Sequence, residues 1–427
     1  MLAACAAPAA RLDAGDPQLA AWQAQASELR GLAFEAPVEL VWFRARDVRG
    51  VITEELEGVF SAEEAVRYRD AYAALGAFPP DLDLLDTLLT LQSQAIAGMY
   101  SPRRETLYVL DSLRDDGGAQ GAQSLIVVHE LVHALQHQHF PEQLALLTGL
   151  RTQDDVVAAL SSALEGDATF TMLGVNVGGN GRDGRSEENA ASVRASMLAE
   201  LVRADGAFAA APRLLRESLI FPYAHGTPLA ARRYAREGSA GLDANLRGPP
   251  LSTLRVLAPD DPDPVEFVRL PLAELVARLA RPECSAGDHN VAGVLTLGVL
   301  FDEHAGEADR DAWLHAWRGD RFAQLDCGAS WELVWLTRWD TAEAAAEFAA
   351  QYGAIAPGVA SNAKLSGVPE VVVRERVALV VTPGLRAHAD WLLEASEVRA
   401  YPDFAAWRAD DCFPESPCPL DSPGVRP

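Results

Sequence analysis

The sequence predicts an α+β fold that contains both helices and sheets. Residues 38–43 and a hairpin over residues 97–110 have the composition of strands, and they precede an apolar stretch at 124–140 that fits a buried helix. Helical patterns follow over residues 154–174, and valine-rich strands return at 368–381. Each element is supported by a local signal.

The elements before the apolar stretch have clear boundaries. Ser61 and Glu64 form a capping box that opens a helix through Tyr72. Residues 82–96 carry apolar side chains at helical spacing, which predicts a second helix. The hairpin at 97–110 comes immediately before the apolar stretch, either as an ordinary hairpin or as an edge strand that pairs with an extended peptide.

The apolar stretch contains the sequence HELVH at residues 129–133. Two histidines four positions apart lie on the same face of an α-helix, so both can direct a ring nitrogen at one zinc ion. Glu130 would lie beside the metal, where a carboxylate can take a proton from a water molecule and pass it to a leaving amine. The spacing therefore predicts His129 and His133 as zinc ligands and Glu130 as a general base.

The helical context that this motif needs is present. Ser124 can cap the start of the helix, and Pro141 can stop it. Asp154 or Asp155 can cap the next helix, which Gly174 ends. Two metal-binding residues from different helices can therefore come together if these helices pack side by side.

A catalytic zinc site normally has three protein ligands, and two residues compete for the third place. His139 lies at the offset that metzincins use in HExxHxxGxxH, but Gln136 stands where their helix-breaking glycine would be. Glu165 lies on the separate downstream helix, where the small residues Gly166 and Ala168 would let that helix pack close to the first. We favour Glu165.

The sequence HELVHALQHQHF, followed by ALEGDAT, with GMYSPRRETLYV before and FPYAHG after, resembles the gluzincin-type zinc metallopeptidases. It is most similar to bacterial secreted or lipoprotein HExxH proteins, over roughly residues 90–235. The resemblance implies a zincin-like fold with a small mixed sheet and a helical lower lobe. It also implies a metal site formed by His129, His133 and Glu165, with Glu130 as the base.

Gluzincins usually add a tyrosine or histidine that stabilises the oxyanion, and the resemblance offers Tyr223 and His225 for this role. The aspartate that often follows the glutamate ligand by three or four residues is absent, since Ala168 and Thr169 stand there. His137 and Asp167 remain open: either could support a metal-bound histidine or simply face solvent.

The second half of the chain has no catalytic motif. A helix is expected at residues 230–236, and further helices at 291–304, 311–317 and 341–352. Residues 331–336 have the pattern of a strand. This half also contains several tryptophans, which either lie in the core or form a surface that binds partners or cell-wall polymer. They are Trp313, Trp317, Trp331, Trp335 and Trp339.

Composition limits the partners. The 427 residues carry a net charge of -25, so the surface would repel phosphate backbones, and nucleic acid is excluded as a partner. The composition shift at 247–250 suggests a tether at 1–20, a peptidase core at 21–250 and an α/β region at 251–427.

The cysteines indicate an oxidising compartment. Residues 2–5, Leu-Ala-Ala-Cys, resemble the lipobox of bacterial lipoproteins, which predicts export and a lipid anchor on Cys5. The other four cysteines suit two disulfides, with Cys412 and Cys418 close enough to form a small loop and Cys284 left to pair with Cys327.

The sequence therefore predicts an exported zinc-dependent peptidase, most simply an endopeptidase, whose substrate is a peptide or protein. Two alternatives remain. One is a non-catalytic, zincin-like binding or scaffold protein, and the other is a metzincin-like peptidase that uses His139 as the third ligand.

Overall fold

The structure, a computed structural model, describes residues 11–13, 15–57, 61–114, 120–175, 183–203, 205–306, 314–415 and 418. Its strands are β1 (Arg11–Leu12), β2 (Glu39–Phe43), β3 (Gly98–Ser101), β4 (Thr106–Leu110), β5 (Val265–Arg269), β6 (Ser285–Asn290), β7 (Trp317–Asp326), β8 (Trp331–Trp339), β9 (Glu370–Arg374), β10 (Val377–Val381) and β11 (Glu397–Tyr401).

The helices are α1 (Pro17–Arg30), α2 (Val48–Glu57), α3 (Ala62–Leu75), α4 (Leu84–Ala95), α5 (Gln120–His139), α6 (Pro141–Gly149), α7 (Asp154–Met172), α8 (Glu187–Arg203), α9 (Gly206–Ala210), α10 (Arg213–Glu237), α11 (Ser239–Arg247), α12 (Thr253–Leu257), α13 (Leu272–Leu279), α14 (Gly293–Ala305), α15 (Ala342–Asn362), α16 (Ala389–Ala395) and α17 (Phe404–Ala409). Helices and sheets both shape the fold, so the predicted α+β class is confirmed.

The first four strands form a mixed sheet in the order β1-β2-β4-β3. Strands β2 and β4 are parallel, whereas β3 pairs antiparallel with β4 and lies at the edge. The predicted hairpin is confirmed. Helices α1 and α5 pack together against this sheet through a buried apolar core that includes Trp22, Leu40, Leu107 and Leu131. The packing places the edge strand beside the helix that carries HELVH.

The start of α5 differs from the prediction. The helix begins at Gln120, before Ser124, whose hydroxyl accepts a hydrogen bond from the Trp22 indole N–H at 3.2 Å. The end of α5 agrees with the prediction, since the helix ends at His139 and Phe140, the residue before Pro141, has a non-helical backbone conformation. Pro141 also opens α6, where its missing N–H leaves no helical hydrogen bond unmade.

Helix α10 is longer than the sequence suggests. The prediction placed a helix only at residues 230–236, but α10 runs through the whole FPYAHG segment and contains both Pro222 and Pro228. Burial explains the difference, because Phe221 and Pro222 face the interior and packing outweighs the low helix propensity of proline.

Two glycines let α7 and α10 approach at backbone contact. A Cβ added at Gly226 would lie 2.0 Å from the carbonyl oxygen of Ser162, and one at Gly166 would lie 2.2 Å from the carbonyl oxygen of Gly226. Gly166, the small residue after Glu165, therefore packs α7 against α10, whereas its position in the sequence suggested packing against α5.

We predict that Gly226→Ala destabilises the protein by about 1–3 kcal/mol or more, because the added methyl group meets backbone that cannot move independently. The matched control is Gly353→Ala in α15, where a Cβ has nothing within 4 Å and alanine favours the helix. Thermal unfolding should show a lower Tm for the first variant and an equal or higher Tm for the second. Equal melting temperatures in all three proteins would contradict the close contact.

The second sheet has the order β6-β7-β8-β10-β9, and β5 pairs separately with β11. All of these pairs are antiparallel, and hairpins join β7 to β8 and β9 to β10. An α/β region has parallel strands joined by crossover connections, whereas the strands of this half are antiparallel. The prediction of an α/β region is therefore wrong. The helix expected at residues 311–317 is wrong at Trp317, which begins β7, and residues 311–313 lie outside the described residues.

The tryptophans of this half are core residues. The exposed fractions are 1% for Trp317, 4% for Trp331, 0% for Trp335 and 0% for Trp339. Trp313 lies outside the described residues. These four side chains therefore offer no surface to a partner.

The boundary predicted at residue 250 does not divide the core. One apolar cluster contains Leu160 and Leu164 of α7 together with Trp335 of β8 and Phe348 of α15. Burial of such residues is the main stabilising contribution in folding, so both halves depend on the same contacts. Residues 251–427 therefore share a core with the helices before them.

Polar contacts also connect the start of α7 to the second half. The side-chain oxygen of Asn290 accepts a hydrogen bond from the Asp154 N–H at 2.9 Å, and the Asp155 carboxylate accepts one from the Thr253 N–H at 3.1 Å. Neither aspartate is the helix cap that the sequence suggested. The N-cap is Gln153, and both acids lie in the first turn, where the helix dipole stabilises a negative charge.

Both predicted disulfides are present, Cys284–Cys327 and Cys412–Cys418. Among the described residues, no helix combines the length and hydropathy that crossing a bilayer requires. The lipobox-like segment with Cys5 and residues 6–10 lie outside the described residues. The tether predicted at residues 1–20 is wrong at its end, because residues 11–12 form β1, Pro17 begins α1 and Leu19 is buried in the core beneath the first sheet.

Candidate metal centre

Helix α5 brings the two histidines of HELVH together. The Nε2 atoms of His129 and His133 lie 3.1 Å apart, and the two rings meet edge to face with centroids 4.8 Å apart. This is the geometry expected for positions one helical turn apart.

Helix α7 brings Glu165 to the same point. Its Oε2 atom lies 3.3 Å from Nε2 of His129 and 3.3 Å from Nε2 of His133. Donor atoms that share a tetrahedral zinc ion at about 2.0–2.1 Å are themselves about 3.3–3.4 Å apart. The three atoms therefore have the spacing of one face of a tetrahedral zinc site.

The environment of the cluster also fits a cation. The buried Oε2 of Glu165 has no hydrogen-bond partner, although such atoms are normally satisfied. Among the described residues, this trio is the group of histidines and acids that could hold a metal ion. The side chains of His129, His133 and Glu165 are 12%, 18% and 24% exposed, whereas Oε2 of Glu165 itself is buried.

The charges around the cluster favour a positive ion. Burial alone would lower the pKa of His133, but the carboxylates of Glu165 and Glu130 raise it to about 10. Burial would likewise raise the pKa of Glu165, yet the two histidines hold it well below its ordinary value. The same carboxylates would attract a divalent cation.

Glu130 is buried beside the cluster and oriented by the edge strand. Its Oε2 atom accepts a hydrogen bond from the Tyr100 N–H at 2.9 Å. The strand approaches closely because of Gly98, where an added Cβ would lie 2.7 Å from Ile126 and 3.0 Å from Cγ of Glu130. The base proposed from sequence is therefore fixed by backbone on one side.

The pairing register leaves part of β3 free. Leu110 donates its N–H to the Ala97 carbonyl, so in antiparallel alternation the backbone groups of Gly98 and Tyr100 point away from β4. One of them is the N–H that binds Glu130. The others are available to a strand that adds to this edge.

Of the two residues suggested for the oxyanion, Tyr223 lies near the cluster. Its ring centroid is 6.2 Å from that of His129. Burial and the carboxylates of Glu165 and Glu130 raise its pKa well above the ordinary value, so the hydroxyl stays protonated and can donate. His225 lies about 200° further round the helix and packs on Phe221 with centroids 4.6 Å apart.

The remaining histidines of α5 do not join the cluster. His139 directs Nε2 to the Ala33 carbonyl at 2.7 Å and lies 3.5 Å from Glu35 through Nδ1, so it does not serve as the third ligand. His137, which the sequence left unassigned, lies 3.0 Å from the Tyr100 hydroxyl through Nδ1.

Three residues around the site were missed as contributors. Tyr100 acts through its backbone, which no side-chain pattern shows. Gln136 contacts His133 at 2.8 Å, and its position three residues after the histidine could have suggested this. Arg30 pairs with Asp167, and no local signal connects residues so far apart in the chain.

Comparison with known proteins adds one partial match. Residues 279–383 match the model of a family described as a domain of unknown function (DUF8575). The matched segment contains β6 to β10, and hence the second sheet, but none of the metal-site residues. No curated protein and no solved structure matches the chain.

Proposed function

We propose that the protein is a zinc-dependent peptidase with a zincin-like arrangement of edge strand, active-site helix and ligand-bearing second helix. The observation that carries the proposal is the triangle of His129, His133 and Glu165 donor atoms, with edges of 3.1, 3.3 and 3.3 Å, beside the buried Glu130. Catalytic zinc sites normally have three protein ligands and leave a fourth position to water or substrate, whereas structural sites have four protein ligands.

A zinc ion bound by these residues would polarise a peptide carbonyl and acidify a water molecule. Glu130 is suited to take the proton from that water, because its carboxylate is buried and one of its oxygens is already oriented by the Tyr100 N–H. The same group can then deliver the proton to the leaving amine.

The free edge of β3 is suited to an extended peptide. Outward-facing backbone groups of Gly98 and Tyr100 can form hydrogen bonds with the backbone of a substrate. Such pairing does not depend on the side chains of the substrate. The position of Glu130 against this strand would place its carboxylate next to a bound peptide bond. Protein or peptide is therefore the proposed substrate class.

Tyr223 is the proposed oxyanion stabiliser. We predict that Tyr223→Phe lowers kcat by about 10²–10³-fold, since one hydroxyl donor to the developing charge is lost. Zinc content should not change, because the tyrosine is not one of the three ligands. Steady-state hydrolysis of a fluorogenic peptide and metal analysis of the same samples measure both effects. His225→Phe is the control, and equal losses in the two variants would rule out a specific role for Tyr223.

The proposed location is outside the cytoplasm. The two disulfides fit an oxidising compartment. The alternative of a binding or scaffold protein has less support, since a structural site has no use for Glu130. The candidate surface tryptophans that the structure describes, Trp317, Trp331, Trp335 and Trp339, are also buried.

The direct test is hydrolysis of a broad mixture of peptides by the zinc-loaded protein. We expect cleavage that a zinc chelator stops and that added zinc restores. Tight zinc binding without cleavage of any peptide would favour the scaffold alternative, and absence of zinc binding would contradict the proposed site.

A further inference from the structure

A series of buried polar contacts begins at His133. Its Nδ1 atom lies 2.8 Å from Oε1 of Gln136. The Nε2 atom of Gln136 donates to the Leu164 carbonyl at 2.9 Å and to Oδ2 of Asp167 at 3.0 Å. Gln136 is 0% exposed and Asp167 is 1% exposed, so solvent does not replace these partners.

The chemistry of these partners fixes the orientation of the Gln136 amide. A backbone carbonyl and a carboxylate only accept hydrogen bonds, so both must face the amide NH₂ group. The amide oxygen is then left facing His133, where it requires a proton on Nδ1. An imidazole protonated at Nδ1 keeps the Nε2 lone pair for a metal, and Nε2 is the atom that faces Glu165.

Arg30 supplies the charge that faces Asp167. Its Nε atom lies 2.8 Å from Asp167, and a terminal nitrogen lies 2.9 Å from Asp243. The guanidinium is completely buried at the last residue of α1, and Gly31 in a left-handed conformation ends the helix there. The N-terminal helix is therefore connected through Asp167 and Gln136 to a metal ligand.

We propose that Gln136, Asp167 and Arg30 are positioning residues that fix the tautomer and ring orientation of His133 and thereby set the metal affinity of the site. The inference rests on the metal site of the proposed function but not on peptide hydrolysis. Partners of this kind that orient a ligand typically change metal affinity by about 10–100-fold. Here a neutral amide stands between the imidazole and the charged pair.

The test uses the full chain and two matched variants, Gln136→Met and Gln138→Met. Gln138 lies on the same helix and makes hydrogen bonds to the backbone of Glu35 and Ala36. Its replacement therefore removes a similar number of hydrogen bonds, but none of them is to a histidine ring. Zinc affinity is measured by competition with a chromophoric chelator. We expect about 10–100-fold weaker binding for Gln136→Met and a change of less than about 2-fold for Gln138→Met.

A second readout follows the proton itself. In zinc-loaded protein labelled with ¹⁵N-histidine, the buried Nδ1–H of His133 should exchange slowly and give a resolved signal. The signal should disappear in Gln136→Met and persist in Gln138→Met. If Gln136→Met does not fold, Asp167→Asn tests the same series through zinc affinity alone, since it removes the charge that faces Arg30, keeps the size of the side chain and should weaken zinc binding.

The outcomes separate the two proposals. Equal zinc affinity and an unchanged Nδ1–H signal in the Gln136 variant would overturn the positioning role and leave the metal site standing. Failure of the wild-type protein to bind zinc would overturn both. Weaker binding confined to the Gln136 and Asp167 variants would support the inference even if no peptide were cleaved.

Discussion

Replacing Glu130 with glutamine should abolish peptide hydrolysis while zinc remains bound. Glutamine has the same shape, and its amide oxygen can still accept the Tyr100 N–H, so the geometry of the site should be retained. What is lost is the ability to accept a proton. General-base catalysis contributes about 10²–10⁴-fold, and kcat/KM should fall by at least that factor. The measurement is peptide hydrolysis by samples with equal zinc content.

The control for this variant is Glu142→Gln, which makes the same chemical change at an exposed position in the first turn of α6. Its activity should match that of the wild-type protein. Full activity in Glu130→Gln would mean that another group accepts the proton or that the reaction is of another class.

Removing the third ligand should have the second large effect. In Glu165→Ala the two histidines would remain as the only protein ligands, and we expect zinc affinity to fall by more than about 100-fold, beyond the effect of a residue that only orients a ligand. Competition with a chelator gives the affinity. A thermal melt of the same samples shows whether folding is preserved.

His139→Ala is the matched comparison, because it removes the residue that competed for this place in the sequence. Its ring faces Ala33 and Glu35, so zinc affinity should be unchanged. The reverse result, with zinc lost on removing His139 and kept on removing Glu165, would favour a metzincin-like site.

Much of the candidate metal site could be predicted because it depends on residues that are close together in the sequence. The spacing of His129 and His133 on one helix fixes their relative position, and the missing glycine at Gln136 argues against a turn that would bring His139 back. Glu165 was favoured because that glycine is missing and because small residues follow it on a separate helix, and its donor atom lies 3.3 Å from both imidazoles. The strands at residues 38–43, 97–110, 331–336 and 368–381 were predictable for the same local reason, whereas β1, β5, β6, β7 and β11 were not predicted.

The rest depends on contacts between distant parts of the chain. Proline at positions 222 and 228 argued against a continuous α10, but burial against α7 outweighs that propensity. The role of Gly166 was misassigned because a glycine shows that a close approach occurs without showing which helix approaches. Arg30 carries no pattern that connects it to Asp167, since the pair exists only after α1 has packed.

The way α7 is shared between the two halves has a practical consequence. This helix carries Glu165 near its middle, and its first turn forms hydrogen bonds with Asn290 and Thr253. A truncated fragment ending near residue 250 would keep every residue of the metal site but would strip α7 of those anchors and uncover the apolar surface around Leu160. A shortened protein made for study of the candidate metal site should therefore retain the second sheet, and we expect substitutions in that sheet to change the affinity of the site for zinc.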